Sequence, residues 1–442
     1  MREAAKAVVE RLQSRGFEAY WAGGCVRDQL LGREPADYDV ATNARVEEIE
    51  RLFPDTIAVG RAFGVLIVRW GGHSIQTATF RAESDYTDHR RPDSVRFCDA
   101  QEDASRRDFT INGLFFDPVS ATLHDWTGGQ SDLHAKRIRA IGNPVDRFAE
   151  DHLRMLRAVR LAAQLGFDID EQTFNAVKNR ASDIRSVSSE RIRDELLKLF
   201  QPQHAAHGLD LLRDSGLLSE VLPEIASFIG CAQSPEFHPE GTVYEHVRLM
   251  LSRLPVDAAP ALVWSVLLHD VGKPVTATVD AQSGQIRFLG HESVGAVIAE
   301  RVLMRLRFPR KEIEEIVFCV SHHMQFKDVP EMRKSTLRRV LMRPTFRLEL
   351  ELHRLDCLAS SGRMETVKLL EEESALLAAR PELLPALVTG ADVIAAGIPE
   401  GQMVGTMLAQ VRELQLGEEL RTREEALAWL RENAPKRSGE LI

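Results

Sequence analysis

The sequence has few cysteines, and their spacing excludes two classes of protein. Its 442 residues include five cysteines and no Cys-x-x-Cys pair. A disulfide framework or a zinc knuckle needs closely spaced pairs. The five are instead scattered, at Cys25, Cys98, Cys231, Cys319 and Cys357. This pattern is typical of a reducing compartment, so we expect the protein in the cytoplasm.

Long apolar segments and an excess of basic residues are also missing. No uncharged apolar run exceeds roughly a dozen residues, whereas a transmembrane helix needs about 20. The first residues, MREAAKAVVERL, carry acids and lack the apolar core of a signal peptide. A membrane is therefore not expected as a partner. The formal net charge of −10 argues against wrapping DNA duplexes, and no DNA partner is expected, but a local arginine stripe can still bind RNA.

Two kinds of secondary-structure signal divide the chain. Short apolar strands such as FEAYWAGG and AFGVLIVRWGG alternate with helices in the first part, and helical periodicity dominates the rest. The predicted fold is an α+β head with a small antiparallel or mixed sheet, followed by an all-α remainder. A chain of this length is expected to form several domains. The predicted regions are a head (1–140), a helical neck (141–230), a histidine-bearing helical domain (231–360) and a helical tail (361–442).

The first candidate motif is GGCVRD, from Gly23 to Asp28, where a strand turns into a helix. Glycines such as Gly24 let a phosphate approach backbone N–H groups, and a helix N-terminus favours an anion. Arg27 adds a guanidinium fork for triphosphate oxygens. Taken alone, the motif is more typical of a simple tight turn.

Nine residues further on, ADYDV contains two aspartates one residue apart. On a strand, Asp37 and Asp39 would project from the same face. Their carboxylates would repel unless a divalent cation neutralised them, and Mg²⁺ prefers such oxygen ligands. The pair is therefore predicted to be catalytic and to hold magnesium. A solvated pair at a strand end is the alternative interpretation of this pattern alone.

A second charged cluster lies in SRRDFTINGLFFD, at 105–117. Arg107 can bind a triphosphate, and Asp108 can accept a hydrogen bond from a ribose 2′-OH. The alternative is a surface charge cluster before a buried strand. Because this cluster follows a phosphate-binding turn and an acidic strand, in that order, the nucleotide-binding interpretation is favoured.

The segment EDHLRMLRAVR is predicted to form an amphipathic helix. Asp151 and Arg154, at i and i+3, would be neighbours that present an acceptor and donors side by side. A carboxylate accepts from the exocyclic amine of cytosine or adenine, whereas uracil and guanine have the opposite polarity there. Arg157 and Arg160 would continue the stripe toward phosphates. The alternative is an exposed ion-pair ladder, which contributes little.

An ordered set of histidines and aspartates follows in the third region. Neutral imidazoles and carboxylates on a helical scaffold are typical of a divalent transition-metal site. The alternative is a set of structural histidines that bind no metal. His322 is taken as the ligand from its pair, with His323 as the alternative. The predicted ligands are His246, His269, Asp270, His291, His322 and Asp356.

The four head and neck motifs together resemble those of class II tRNA nucleotidyltransferases, the CCA-adding enzymes, and their bacterial poly(A) polymerase relatives. The resemblance implies a head of the polymerase-beta nucleotidyltransferase type, with tRNA, ATP and CTP as partners and Mg²⁺ at the head. It implies template-independent addition of CCA, or of the terminal A, with release of pyrophosphate. The segment FRAESDYTDHRRPDSVRF (80–97) resembles the flexible loop of family members that add the terminal A.

The histidine series resembles the HD phosphohydrolase superfamily. The resemblance implies a second, phosphohydrolase activity, and a metal site with only a structural role is the alternative. Two other functions remain open: a poly(A) polymerase acting on general RNA, and an A-adding enzyme that works with a separate CC-adding one. A metal-dependent phosphohydrolase whose head only binds RNA is disfavoured by the two intact carboxylates. Residues 361–442 contain 9 basic and 14 acidic residues. They therefore lack the basic extension expected of a poly(A) polymerase.

Overall fold

The computed structural model describes residues 1–84, 94–360, 362–380 and 385–434. The chain forms two compact units. The first comprises Met1–Ala226 with Arg305–Arg307, and the second comprises Ser227–Met304 with Phe308–Ile442. No helix among the described residues is long and apolar enough to span a membrane. The expected four-region division stays a prediction.

The first unit begins with a mixed sheet and the helices that cover it. The order of its seven strands is β3-β4-β5-β2-β1-β8-β9, in which β2 and β5 run parallel and the other neighbours antiparallel. This confirms the predicted α+β head and its mixed sheet. The elements are α1 (Arg2–Gln13), β1 (Ala19–Ala22), α2 (Gly24–Leu30), β2 (Asp39–Thr42), α3 (Val46–Leu52), β3 (Thr56–Gly60), β4 (Val65–Trp70), β5 (His73–Thr79), β6 (Arg81–Ser84), β7 (Ser94–Phe97), α4 (Ala100–Ser105), β8 (Leu114–Asp117), β9 (Thr122–Asp125) and α5 (Gly129–His134).

Small residues on the central strands let a helix approach the sheet closely. Alanines on β1 and β2 face alanines of α4, and two phenylalanines fill the remaining space. The cluster consists of Ala22, Ala41, Phe80, Ala100, Ala104 and Phe115, all buried. The helix α4 thereby holds the start of the segment 105–117 against the sheet.

The strands β6 and β7 pair antiparallel outside the main sheet. They form the two ends of the segment 80–97, which resembles the flexible loop of A-adding enzymes. Residues 85–93 of that segment lie outside the described residues, so its expected role stays a prediction.

Helices dominate the rest of the first unit. They are α6 (Pro144–Glu150), α7 (Leu153–Leu165), α8 (Glu171–Arg180), α9 (Ser189–Leu199), α10 (Ala205–Asp214), α11 (Leu217–Val221) and α12 (Pro223–Ala226), with the short strands β10 (Arg137–Ile138) and β11 (Asp168–Ile169). The side chain of Asn143 caps α6, and Pro144 occupies its first turn. The following helix, α7, packs against α9 and α10 and ends at Gly166, whose φ is 68°.

The second unit is almost entirely helical, which confirms the predicted all-α remainder. Its helices are α13 (Val243–Ser252), α14 (Pro260–Leu268), α15 (Lys273–Thr276), α16 (His291–Arg305), α17 (Arg310–His322), α18 (Lys334–Leu341), α19 (Phe346–Ala359), α20 (Glu365–Ala378), α21 (Gly390–Ala395), α22 (Gln402–Leu416) and α23 (Arg423–Asn433). A hairpin of β12 (Thr278–Val279) and β13 (Ile286–Arg287) lies between α15 and α16. The helix α14 is apolar on all sides because it lies at the centre of this unit, with α13, α17 and α19 around it.

Candidate functional site

A cavity of about 750 Å³ in the first unit gathers every residue predicted to act on the nucleotide. Its walls come from the β1–α2 turn, the start of β2, the segment after α4, the junction between α6 and α7, and α7 itself. The predicted residues that line it are Gly24, Arg27, Asp37, Asp39, Arg107, Asp108, Asp151, Arg154, Arg157 and Arg160. These residues are far apart in the sequence, and the fold brings them together in one cavity. Their individual roles stay predictions.

The turn between β1 and α2 brings backbone close to an arginine. Gly23 has φ 78° and ψ −130°, a conformation open to glycine. A Cβ atom built on Gly23 would lie 2.8 Å from Nη1 of Arg107. The buried Arg27 donates from Nη1 to Oδ1 of Asn112 and from Nε to Oδ1 of Asp28, both at 2.8 Å. Arg107 thus lies against the turn, Arg27 is held at the start of α2, and both line the cavity.

The two candidate metal-binding aspartates differ from the prediction in one respect. The strand β2 begins at Asp39, and Asp37 lies before it, so the pair does not lie on one strand. Asp37 is exposed and Asp39 half-buried, yet both line the cavity. Burial and the neighbouring Asp37 raise the pKa of Asp39 to about 6. Because like charges and burial both disfavour the ionised pair, these carboxylates fit a divalent cation.

Arg107 is held between the sheet and a carboxylate of α4. Its Nη2 lies 3.2 Å from Oδ2 of Asp103, and its guanidinium lies 4.7 Å from the ring centre of Phe115. Its buried Nε makes no hydrogen bond with the described residues. The guanidinium is therefore fixed in position while one donor remains without an acceptor.

Asp108 is fully engaged by neighbouring donors. Arg157 donates to Oδ2 from Nε at 2.9 Å and from Nη2 at 2.6 Å, and Oδ1 accepts from Asn112 Nδ2 at 3.0 Å and from the Phe109 amide at 2.8 Å. Although burial alone would raise it, these contacts hold the pKa of Asp108 well below its usual range. In this structure two residues expected to contact the nucleotide, Asp108 and Arg157, contact each other.

The predicted base-selecting residues, Asp151 and Arg154, both line the cavity, but they do not have the predicted i, i+3 arrangement on one helix. Asp151 follows the last residue of α6 and precedes α7, with an extended backbone (φ −140°, ψ 105°), so it does not share a helix with Arg154. Each member has its own ion-pair partner. Asp151 pairs with Arg191 of α9 at 2.8 Å, and Arg154 pairs with Glu150. Both side chains are thus oriented by residues outside the predicted pair.

Three residues that the sequence did not single out contribute to this region: Asn112 and Arg191 line the cavity, and the buried Glu195 pairs with Arg160. Arg160 donates to the buried Glu195 from Nε and to Gln164 from Nη1 at 2.9 Å. Glu195 and Arg191 lie on α9, and the third missed residue, Asn112, lies within the quoted motif RRDFTIN. The signal that could have found the α9 face is the i, i+4, i+7 spacing of Arg191, Glu195 and Lys198, since Lys198 also lines the cavity.

The second unit contains a buried cluster around Asp270. The Nδ1–H groups of His269, His291 and His323 donate to the carbonyl oxygens of Val266, Phe288 and Val320, at 2.7–2.9 Å. Each Nε2 of a neutral ring therefore carries a lone pair. These atoms face Asp270: His269 at 3.1 Å from Oδ2, and His291 and His323 at 3.5 and 3.8 Å from Oδ1.

The lone pairs of this cluster face one another without protons between them. Nε2 of His291 lies 3.1 Å from Nε2 of His323, and both face a carboxylate oxygen that is also an acceptor. Burial and the nearby His269 lower the pKa of His323 to about 3, so protonation does not relieve the contact. A bound cation would relieve the contact between these lone pairs. Imidazole nitrogens with a carboxylate are suitable ligands for a divalent transition metal.

His322, the residue taken as the ligand from its pair, lies outside the cluster. Its ring stacks on Phe318, with centroids 4.0 Å apart, and its Nδ1 faces the carbonyl oxygen of Phe318 at 2.9 Å. The adjacent His323 lies in the cluster instead. The helix α17 ends at His322, and successive residues there point in different directions, so only one of the two faces inward.

A second group adjoins the first and includes residues that the sequence did not indicate. His246 Nε2 lies 3.2 Å from Oδ1 of Asp356, and these two residues group with His269. The other ring nitrogen, Nδ1, lies 2.6 Å from Oε1 of Glu240, which also binds His238. Burial alone would lower the pKa of His246, but Asp356 and Glu240 raise it to about 9. Glu240 thus orients His246, as carboxylates beside metal-ligating histidines do.

Three models of known families match the chain. The "Poly A polymerase head domain" matches residues 19–139, the "Probable RNA and SrmB- binding site of polymerase A" matches residues 166–229, and the "HD domain" matches residues 242–360. The first includes the glycine turn, the aspartates and Arg107. The third includes Asp270, Asp356 and the histidines at 246, 269, 291 and 323, but begins after His238 and Glu240.

Proteins similar in sequence are CCA-adding enzymes. That of Oceanobacillus iheyensis is 46% identical over 220 residues, which cover 50% of this chain and 54% of the relative. That of Geobacillus kaustophilus is 42% identical over 233 residues, covering 52% and 57%. The chain spans about half the length of the curated relatives it matches.

Solved structures of CCA-adding enzymes match over nearly the whole chain. The Bacillus stearothermophilus enzyme in complex with CTP has a TM-score of 0.73 and 27% identity, covering 97% of this chain and 96% of that one. The Thermotoga maritima enzyme complexed with tRNA has a TM-score of 0.59 and 19% identity, covering 96% and 93%, and so shows the shared fold alone.

Proposed function

The chain carries a poly A polymerase head domain, the RNA-binding region named with it and an HD domain, and on this premise we propose that it extends the 3′ end of tRNA. It adds CCA, or the terminal A, from CTP and ATP without a template and releases pyrophosphate. The observation that carries this proposal is the single cavity in which ten residues predicted from four separate motifs come together.

Asp37 and Asp39 are the proposed magnesium ligands. Bound Mg²⁺ supplies positive charge for the attacking 3′-hydroxyl and the departing pyrophosphate. The chain's own cations do the rest of the positioning: Arg27 and Arg107, held by Asn112 and Asp103, bind and orient the triphosphate. The 3′-oxygen of the primer then attacks the α-phosphorus, and the bond to pyrophosphate breaks.

Asp151 and Arg154 are the proposed base-selecting residues. The Asp151 carboxylate accepts a hydrogen bond from the exocyclic amine of cytosine or adenine, and Arg154 donates to a ring nitrogen or carbonyl. Uracil and guanine place a carbonyl opposite the carboxylate. A wrong base then leaves buried polar groups unpaired, at a cost of about 1–3 kcal/mol per contact.

The test uses tRNA transcripts that end before CCA, after C and after CC, with CTP and ATP singly and together. CTP incorporation on the shortest transcript identifies CCA addition, and ATP use only after CC identifies an A-adding enzyme that depends on a CC-adding one. Long adenylate tails on unrelated RNA would identify a poly(A) polymerase. No incorporation on any transcript would refute nucleotidyl transfer.

A second activity is proposed for the unit that holds Asp270. The unprotonated Nε2 atoms that face one another at 3.1 Å favour a bound divalent transition metal, which in this class of site activates water for hydrolysis. The proposed substrates are phosphomonoesters or 2′,3′-cyclic phosphates. Hydrolysis of 2′,3′-cyclic AMP is measured with Ni²⁺, Mn²⁺ or Mg²⁺ added after chelation. A rate independent of metal, or unchanged in His269→Ala, would refute this activity.

The cytoplasm is the proposed location of both activities. All five cysteines lie among the described residues and are free thiols, which suits a reducing compartment. RNA and nucleotides are the proposed partners; membranes and DNA are not among them.

A further inference from the structure

An ion pair joins α9 to the junction between α6 and α7 inside the cavity. Nη2 of Arg191 lies 2.8 Å from Oδ2 of Asp151, across 40 residues of sequence. Both residues line the cavity, and their side chains are 23% and 17% exposed. The pair is therefore largely screened from bulk solvent, where ion pairs contribute little.

Asp151 depends on such a contact because no helix fixes its side chain. Its backbone is extended, between the end of α6 and the start of α7. One oxygen, Oδ1, accepts from the Leu153 amide at 3.1 Å, and the other, Oδ2, accepts from Arg191. Two contacts to different oxygens fix both the position and the plane of the carboxylate. The lone pairs that remain then have a fixed direction.

Arg154 is oriented independently of this ion pair. Its Nη1 donates to Glu150 and, at 3.0 Å, to the carbonyl oxygen of Arg147. Arg154, the donor of the proposed base-selecting pair, thus remains in place if Arg191 changes. Asp151, the acceptor, then loses one of its two contacts.

We propose that Arg191 is a positioning residue for nucleotide selection, which holds the Asp151 carboxylate in the direction that accepts an exocyclic amine. The proposal rests on the proposed function of Asp151. A carboxylate in that direction accepts from cytosine N4 or adenine N6 and repels uracil O4 or guanine O6. Without Arg191 the carboxylate can turn away, and the difference between C and U, or between A and G, decreases.

Arg191 lies within residues 166–229, which match an RNA-binding model. A contact to RNA phosphate is therefore the competing role. It would raise the KM for tRNA equally with every nucleotide, whereas a positioning role changes the ratio between nucleotides. The ratio is the readout that distinguishes the two.

The experiment compares Arg191→Met with the wild type and with Arg193→Met. Arg193 lies two residues along α9, is 22% exposed and pairs with Asp194 at 2.8 Å, so it is matched in type and exposure but does not line the cavity. Values of kcat/KM are measured for CTP and UTP on tRNA lacking CCA, and for ATP and GTP on tRNA ending in CC. KM for tRNA and thermal denaturation are recorded for each variant.

We expect the CTP/UTP and ATP/GTP ratios to fall by about tenfold in Arg191→Met, which corresponds to about 1.4 kcal/mol. Arg193→Met keeps the wild-type ratios, and Arg191→Lys, which retains one charged donor, recovers part of the loss. Unchanged ratios in a folded Arg191→Met or Arg191→Lys protein, with or without a raised KM for tRNA, would overturn the proposal. A wild type that adds no nucleotide overturns the proposed function itself, which separates the two failures.

Discussion

Replacing Gly23 with alanine is expected to displace Arg107, a proposed triphosphate-binding residue, while leaving the protein folded. A residue other than glycine at φ 78°, ψ −130° is destabilised by about 1–3 kcal/mol. The added Cβ would also lie 2.8 Å from Arg107 Nη1, closer than such atoms pack, so the guanidinium must move. Losing one charge-assisted hydrogen bond to a phosphate weakens binding by about 1.5–3 kcal/mol. The KM for CTP should therefore rise about 10- to 100-fold.

The matched control is Gly16→Ala. Gly16 also has positive φ, at 84°, but a Cβ there has no atom within 4 Å, and the residue does not line the cavity. Steady-state kinetics with CTP and tRNA, together with urea denaturation, separate strain from displacement. Both variants should lose stability, and only Gly23→Ala should show a raised KM for CTP. Equal kinetic effects in the two variants, or an unchanged KM in Gly23→Ala, would refute the displacement of Arg107.

Three further predictions concern single side chains. Asp39→Ala should abolish nucleotide incorporation but preserve metal-dependent hydrolysis of 2′,3′-cyclic AMP, because its carboxylate lies in the first unit; loss of both activities would contradict this. His323→Ala should lower the bound transition metal measured by mass spectrometry, while His322→Ala, its neighbour outside the cluster, retains it; equal metal content would count against the His323 assignment. Asp108→Asn should reduce the free energy of unfolding in urea by about 2–3 kcal/mol, because Arg157 loses the nearer of its two carboxylate partners and keeps only Glu195, 3.7 Å away; a change below about 0.5 kcal/mol would contradict that reasoning.

The sequence predicted the elements of the head and the residues of the cavity better than it predicted their contacts. The Gly-Gly turn does join β1 to α2, and β1, β4 and β5 are present where short apolar or alternating segments occur. Local patterns fix such features, since glycine conformation and strand alternation act over a few residues. Asp37 and Asp151 lie outside the strand and helix assigned to them because element ends depend on tertiary packing.

Contacts between distant segments had no local signal. Arg191 contacts Asp151 only because α9 packs on α7. In the sequence, Arg191 cannot be distinguished from a charged residue on a solvated helix face. Glu240 lies in a segment rich in proline and glycine whose path no periodicity predicts. The choice between His322 and His323 depends on where α17 ends, which sequence patterns place only to within one or two residues.

The pairing of Asp108 with Arg157 has a consequence for how a ligand enters the cavity. The charges of Asp108 and Arg157 already neutralise each other. A nucleotide whose phosphates bind Arg157 and whose ribose binds Asp108 therefore replaces this ion pair and adds no new one. The binding free energy of the nucleotide is then the difference between the free energies of two sets of contacts. In the absence of a ligand, the two charges protect each other from chloride, free phosphate and other small ions that would compete for an open arginine.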